Sequence, residues 1–414
     1  MLVMDQFEVY DASGFVKREE NMNVRPLDGL RVVDMTHVLA GPYCTYQLGL
    51  LGAEIIKVES LKGDMVRGWG GSEEQLAKKL GYGFAAQNAG KRSISLDAAS
   101  KDGADIVRKL ISTADVFIEN YRPGSMAKLG LDYESVREQN PRLIYTSISA
   151  FGQDGPHGHR PGFDDVVQAT SGFMSINVRD DGPIRTGGPV LDYATGMHSA
   201  SAVLAACLLR EKTGEGQRID LAMQDVTMLL MNRNTMIAAT SGEELEPASN
   251  REGPLLGRYK AKDGYVMLAG YLPHHCRTIL NAIGLSQFST LKTPELFSRI
   301  LEVEAAVEAK LVERTAVEWD QVFADAGVVG GGVKSIEEVF ATNQPESRQL
   351  FAEVESAAGT MQATTNGYKL NGTTFKPQSG IPLLGEHTRE VLTELGYHDE
   401  DIQVLESAST IRTH

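Results

Sequence analysis

The 414-residue chain has only three cysteines, Cys44, Cys207 and Cys276, and no two are close enough for a CxxC pair. That excludes a disulfide framework and a cysteine-based zinc site, and it suits a reducing compartment. No apolar run approaches the roughly 20 residues that a membrane span needs. The opening MLVMDQFEVYDASG is acidic, unlike a secretory signal. A cytoplasmic protein is expected. Excess positive charge is missing as well: 40 basic residues against 55 acidic ones leave a formal charge of −15. This argues against nucleic acid or an anionic membrane as a partner. A polyanionic ligand would need a local basic patch.

Several familiar fingerprints are also absent. No GxGxxG follows the first predicted strand, so nicotinamide cofactors are not expected. No GxSxG marks a serine nucleophile. Gly83–Arg92 imitates a phosphate loop but has two residues too many between its glycines. Arg92 also replaces the magnesium-holding Ser or Thr, and a strand follows instead of a helix, so ATP is not expected. His157 and His159 beside Asp154 are explained by a polar turn, and no metal is expected.

What is present is a regular alternation. Residues 1–26 carry no clear period and read as an arm. Then β-branched runs at Leu30–Met35, Glu54–Glu59, Arg92–Asp97, Asp115–Asn120 and Arg142–Ser149 alternate with helical segments such as Pro42–Leu51 and Ser100–Ser112. The pattern predicts an α/β domain whose parallel sheet is covered on both faces. Ligands of such sheets sit beyond the carboxyl ends of the strands. Those ends carry His37–Gly41, Glu59–Trp69, Leu96–Asp97, Asn120–Gly124 and Phe151–Gly155. A scattered basic set lies along the same edge: Arg67, Lys91, Arg92, Arg122, Lys128 and Arg160. The polar stretch 234–253 reads as a linker. A hairpin at Gly257–Leu268 and several helices then make a second, smaller α+β domain over 254–350, in which the glycines around Gly330–Gly332 read as a turn.

The most informative stretch runs from Gly187 to Met223. A Gly-Gly-Pro loop precedes Asp192, and an apolar helix follows, ending at the basic turn before Gly214. Two readings of Asp192 stand side by side from this stretch alone. It caps the helix, or it is a nucleophile mounted on a rigid element at the mouth of a loop.

The chain resembles the class III CoA-transferases, the CaiB/BaiF group, which includes formyl-CoA transferases, crotonobetaine CoA-transferases and α-methylacyl-CoA racemases. The resemblance is carried by LDGLRVVDMTHVLAGP (27–42), GAEIIKVE (52–59), GDMVRGW (63–69), NAGKRSISLD (88–97) and DVFIENYRPG (115–124). It continues through SGFM (171–174), LDYATGM (191–197), REKTGEGQRIDLAM (210–223) and PLLGEHT (382–388), in family order. It implies a Rossmann-like large domain built from 27–233 and 351–414 with the small domain between, in a homodimer of interlocked rings. It places the catalytic aspartate on Asp192 and CoA contacts on Val38, Leu39, Ala40, Leu96, Asp97, Asn120, Tyr121, Arg122, Lys128, Arg160 and Phe163.

The chemistry so implied is transfer of CoA from an acyl-CoA to a free carboxylic acid, through an aspartyl anhydride and an aspartyl-CoA thioester. CoA is a substrate, and the thioester's energy is conserved without ATP. Gly187, Gly188 and the turn after Asp192 are the expected oxyanion donors. Ser60 and Leu39 replace residues found in formyl-CoA transferases, and their glycine-rich flap has no counterpart between Gly253 and Tyr271, which argues against formate and oxalate. A racemase needs two acid/base groups; Phe163 stands where the racemases have a histidine, and His198, six residues after Asp192, lies about 240° around the helix from it. The third reading is an inactive CoA-binding homologue.

Overall fold

A computed structural model describes residues 24–179, 182–242, 251–253 and 255–414. All but the last three residues of the expected arm lie outside that set. The chain forms two compact units. One takes in the residues up to Gln168 together with Gly187–Leu230 and Gln349–His414; the other comprises Ala169–Thr186 and Met231–Arg348.

The first unit is built on a seven-stranded sheet. Strands β1 (Arg31–Met35), β2 (Glu54–Glu59), β3 (Arg92–Leu96), β4 (Val116–Glu119) and β5 (Ile144–Ser149) run parallel in the order β3-β2-β1-β4-β5. Arg218–Ala222 extends the sheet beyond β5, and Ile411–Arg412 closes the other edge, antiparallel to β3. Val33 of β1 pairs with Ile56 on one side and Phe117 on the other. These strands are Val- and Ile-rich because both faces are covered. Helix Lys101–Ser112 packs on one face through Ile106, Val107, Leu110 and Ile111, and Ser100 caps it by accepting the Gly103 N–H at 3.1 Å. The strand order reverses between β1 and β4, which opens a crevice at their carboxyl ends.

Helix α1 (Ala40–Leu50) and the long helix Val190–Thr213 lie against each other. Their closeness depends on glycine: a Cβ on Gly196 would stand 2.7 Å from the Ala40 carbonyl oxygen. The position of α1 is fixed from below by a buried polar knot. Lys91 Nζ donates to Asp34 Oδ2 at 2.9 Å, to the Pro42 carbonyl at 2.9 Å and to Thr45 Oγ1 at 2.7 Å. Burial alone would push Asp34 up, but the charges of Lys91 and Lys57 and the Thr36 and Thr45 hydroxyls outweigh it and hold Asp34 at about 2.

The second unit centres on an antiparallel sheet, Gly330–Gly332 beside Tyr265–Ala269, then Leu256–Lys260, then Arg251–Gly253. Helices cover it, with Trp319 and Phe323 in the core. The glycines expected to form a turn instead make the edge strand. A Cβ on Gly330 would stand 2.8 Å from the Met267 carbonyl, so only a bare backbone fits beside that strand. The stretch expected as a linker is helical over Asn232–Ser241, and its residues 243–250 lie outside the described set. Residues 169–186 also group with this unit instead of the first.

Among the described residues, Lys91 is the only cation hydrogen-bonded to the fully buried Asp34, and Lys91→Met removes it. Breaking one side of a buried pair should lower the unfolding free energy by about 3–5 kcal/mol, read from the denaturant midpoint. An unchanged midpoint would show that the knot does not hold α1.

Candidate active site

The loop between β1 and α1 is held in a conformation its sequence does not favour. Val38, a β-branched residue, sits at φ 66°, which costs on the order of 1–3 kcal/mol. Three side chains enforce it. Asn120, just past β4, clamps His37 by accepting its N–H at 2.9 Å and donating to its carbonyl at 2.8 Å. Asp64 accepts the Val38 N–H at 3.1 Å, and Gln87 donates to the Val38 carbonyl at 2.9 Å. The outcome is that the N–H of Ala40, the first residue of α1, donates to the carboxylate of Asp192.

Asp192 is not the helix cap. The long helix begins at Val190, so Asp192 stands within its first turn, and the capping is done from outside. Asp164, which opens the helix Asp164–Thr170, accepts the N–H groups of Leu191 at 2.8 Å and Asp192 at 3.0 Å through Oδ2. Its other oxygen accepts from the Gln168 amide. The Leu191 and Asp192 N–H groups are not the donors expected to meet an oxyanion, which are Gly187, Gly188 and the turn after Asp192; in that turn the Tyr193 N–H donates to the Pro189 carbonyl at 3.3 Å. Burial, then the charges of Asp164 and Asp165, push Asp192 up to about 7, against the pull of the Ala40 N–H. Among the described residues no cation pairs with it.

Asp192 borders a cleft of about 580 Å³ at the carboxyl ends of β1, β4 and β5. Val38, Leu39, Ala40, Asn120, Tyr121, Arg122, Arg160 and Phe163 line it too. Arg122 and Arg160 are exposed, and Arg160 rests over the Phe151 ring at 5.3 Å. Phe163 is 64% exposed. Leu96, Asp97 and Lys128 are not brought into this cleft. Leu96 is buried in the core at the end of β3, two strands from β1, and Asp97 accepts the Ala99 N–H in the turn that follows. Lys128 is exposed at the end of the short helix Ser125–Lys128.

Three of the cations on the sheet edge are consumed internally. Arg67 is a buried partner of Glu59, Lys91 of Asp34, while Arg92 meets Glu54, Glu390 and Glu394. His198 is exposed and does not line the cleft. His37 does line it, and sequence reasoning noted it only as part of a strand end. Asp164 was missed because it acts on a helix 28 residues away, which no local pattern reveals. Among the described residues no cluster of His, Cys, Asp or Glu is arranged to hold a metal.

Residues 27–388 match the family model for CoA-transferase family III. A succinate–glutarate CoA-transferase from Agrobacterium fabrum is 36% identical over 385 residues, covering 89% of this chain and 96% of that protein. A succinyl-CoA:mesaconate CoA-transferase from Haloarcula marismortui is 35% identical over 387 residues, again covering 89% and 96%. The crystal structure of a CaiB/BaiF family protein from Brucella suis matches with a TM-score of 0.78 at 30% identity, covering 90% of this chain and 99% of that one. This chain belongs to CoA-transferase family III.

Proposed function

We propose that the protein moves CoA from an acyl-CoA thioester to a free carboxylic acid, with Asp192 as the nucleophile. One observation carries this reading: an unpaired, partly buried carboxylate at the heads of two helices, bordering a cleft whose lip carries two arginines. A carboxylate stripped of water is more reactive than one in solution, and the Ala40 N–H fixes its direction. An Asp192 oxygen attacks the thioester carbon, the C–S bond breaks, and an aspartyl anhydride and CoA thiolate form. The thiolate attacks the aspartyl carbonyl, releasing the first acid and leaving aspartyl-CoA. The second acid runs the two steps in reverse. Arg122 and Arg160 face the CoA phosphates in this proposal, and Tyr121 and Phe163 flank the pantetheine. Short dicarboxylates are the acids to test first, since the relatives at 35–36% identity are named for succinate, glutarate and mesaconate. The proposal includes a homodimer: Leu208, Leu229 and Leu230 are 68%, 57% and 51% exposed, an apolar surface that a second copy would cover.

One observation favours a second reading. His37 shares the cleft with Asp192, so two titratable groups are present, the number an α-methylacyl-CoA racemase needs. Incubation with a 2-methylacyl-CoA in deuterated water separates the two. No deuterium should enter the α-carbon, while CoA passes between two carboxylates with ping-pong kinetics. Rapid α-deuteration without transfer would reverse the assignment.

Asp192→Ala should lose transfer by at least about a thousandfold, as when a covalent nucleophile is removed. In the wild type, borohydride or hydroxylamine added after acyl-CoA should mark the peptide containing Asp192. Because Asp192 must be ionised to attack, the acylation rate should climb as pH rises through about 7. Near wild-type turnover in Asp192→Ala would end this mechanism.

The same shift has a stability consequence. With Asp192 near 7 when folded and 3.8 as its ordinary value, the folded state keeps a proton that the unfolded chain loses between those values. Stability therefore falls across that window, by up to about 4 kcal/mol, and the cost is complete above pH 7. Asp192→Asn should melt higher than wild type at pH 8 and close to it at pH 4. Equal melting temperatures at both pH values would refute the buried-charge account.

A further inference from the structure

His37 is held by its main chain, so its ring is free to serve the cleft. Asn120 clamps both its N–H and its carbonyl. The ring meets Tyr121 edge-on, with centroids 5.0 Å apart. Its Nδ1 is sealed from solvent with no hydrogen-bond partner. Its Nε2 is neither sealed nor bonded among the described residues, and His37 lines the cleft, so Nε2 is the atom presented there. A proton on Nδ1 would be a buried orphan donor, which folded proteins avoid more strictly than a bare acceptor. The tautomer that results carries its proton on Nε2, pointing into the cleft. Burial also holds the ring below its usual pKa despite the nearby Asp64, keeping it neutral at pH 7.

The order of contacts across the cleft locates what this N–H meets. Arg122 follows Tyr121, Tyr121 touches His37, and three residues after His37 the Ala40 N–H holds Asp192. A CoA thioester whose phosphates face Arg122 and whose carbonyl carbon reaches Asp192 puts its sulfur, one bond from that carbon, on the His37 side. The sulfur becomes an anion beside Asp192, Asp164 and Asp165. The only cations lining the cleft among the described residues are Arg122 and Arg160. A protonated His37 would add a positive charge to the cleft that holds the nucleophile. A neutral donor stabilises the thiolate without doing so.

We propose that His37 donates a hydrogen bond from Nε2 to the CoA sulfur as the thioester opens, retaining the thiolate between the two half-steps. The inference rests on the CoA-transferase reading above. As the Asp192 C–O bond forms and the C–S bond breaks, the electron pair passes to sulfur. His37 shares its proton and does not release it. The pair returns to carbon when sulfur attacks the aspartyl carbonyl.

The test titrates the thiol of bound CoA by thiolate absorbance in Asp192→Ala protein, where no covalent step intervenes. The titration of the same protein without CoA is subtracted, so that Cys44, Cys207, Cys276 and the tyrosines do not contribute to the signal. Adding His37→Phe should raise the bound thiol's pKa by about one to two pH units, the size of a charge-assisted hydrogen bond. His37→Gln, which keeps a neutral donor, should recover part of the shift. An unmoved pKa with weaker CoA binding would place the ring on a pantetheine amide and overturn the proposal, as would an unmoved pKa at unchanged affinity. Failure of CoA to bind even the wild type would instead remove the transferase reading itself.

Discussion

The cleft depends on one close approach, that of the long helix Val190–Thr213 to α1. Asp192 and Gly196 are four residues apart, so they share a helix face. The missing Cβ at Gly196 lets that face descend on the Ala40 carbonyl. One turn earlier, the carboxylate then meets the Ala40 N–H. A methyl group at 196 would lift the helix by tenths of an ångström or more and take Asp192 off its donor. The D-x-x-x-G spacing is thus a packing device as much as a chemical one.

That geometry is bought at the cost of charge. Asp164 aligns the first turn by accepting two N–H groups, yet its own charge helps push the neighbouring Asp192 up to about 7. Two helix N-termini return part of the loss. The strained Val38 adds to it. Such a site persists only where its surroundings over-determine it, and here they do so in layers. Asp64 holds Val38; Lys57 lies 3.6 Å from Asp64; and the buried Arg67–Glu59 pair, with Glu59 also accepting the Asp64 N–H at 3.1 Å, fixes the loop from which Asp64 projects. Lys91 and Asp34 secure α1 from the opposite side. The buried ions under this sheet therefore read as a support for one loop.

Much of the parallel sheet was legible because each strand is a β-branched run bounded by turn residues, and five such runs separated by helical segments leave few topologies. The segment after β1 and the one after β4 line the cleft, and the same alternation set them at the carboxyl ends of the strands. What a single sequence hides is pairing at a distance. Nothing near Lys91 or Arg67 says that these cations face Asp34 and Glu59 in the interior, so a charge count along the edge overstates the basic patch. Nothing near Asp192 says that its helix is capped by Asp164. Leu96 and Asp97 end a strand of the same sheet, but sheet order sets β3 two places from β1, and order is not written in any one strand. The glycines Gly330–Gly332 show the reverse case. Their composition suggests a turn, while the backbone beside Gly330 and Gly332 leaves room for nothing larger in a strand.

The distribution of charge also bears on how a polyanion would lie in the cleft. Exposed guanidinium groups stand at Arg122 and Arg160, whereas Asp164, Asp165 and Asp192 cluster at the heads of the two helices. In a chain of net charge −15, a ligand with phosphates at one end is drawn by those two arginines and repelled by the carboxylates. Only its uncharged end can approach Asp192 cheaply. The thioester group itself carries no charge. A free carboxylate does, and under the reading proposed above it would meet Asp192 as a neutral anhydride or thioester.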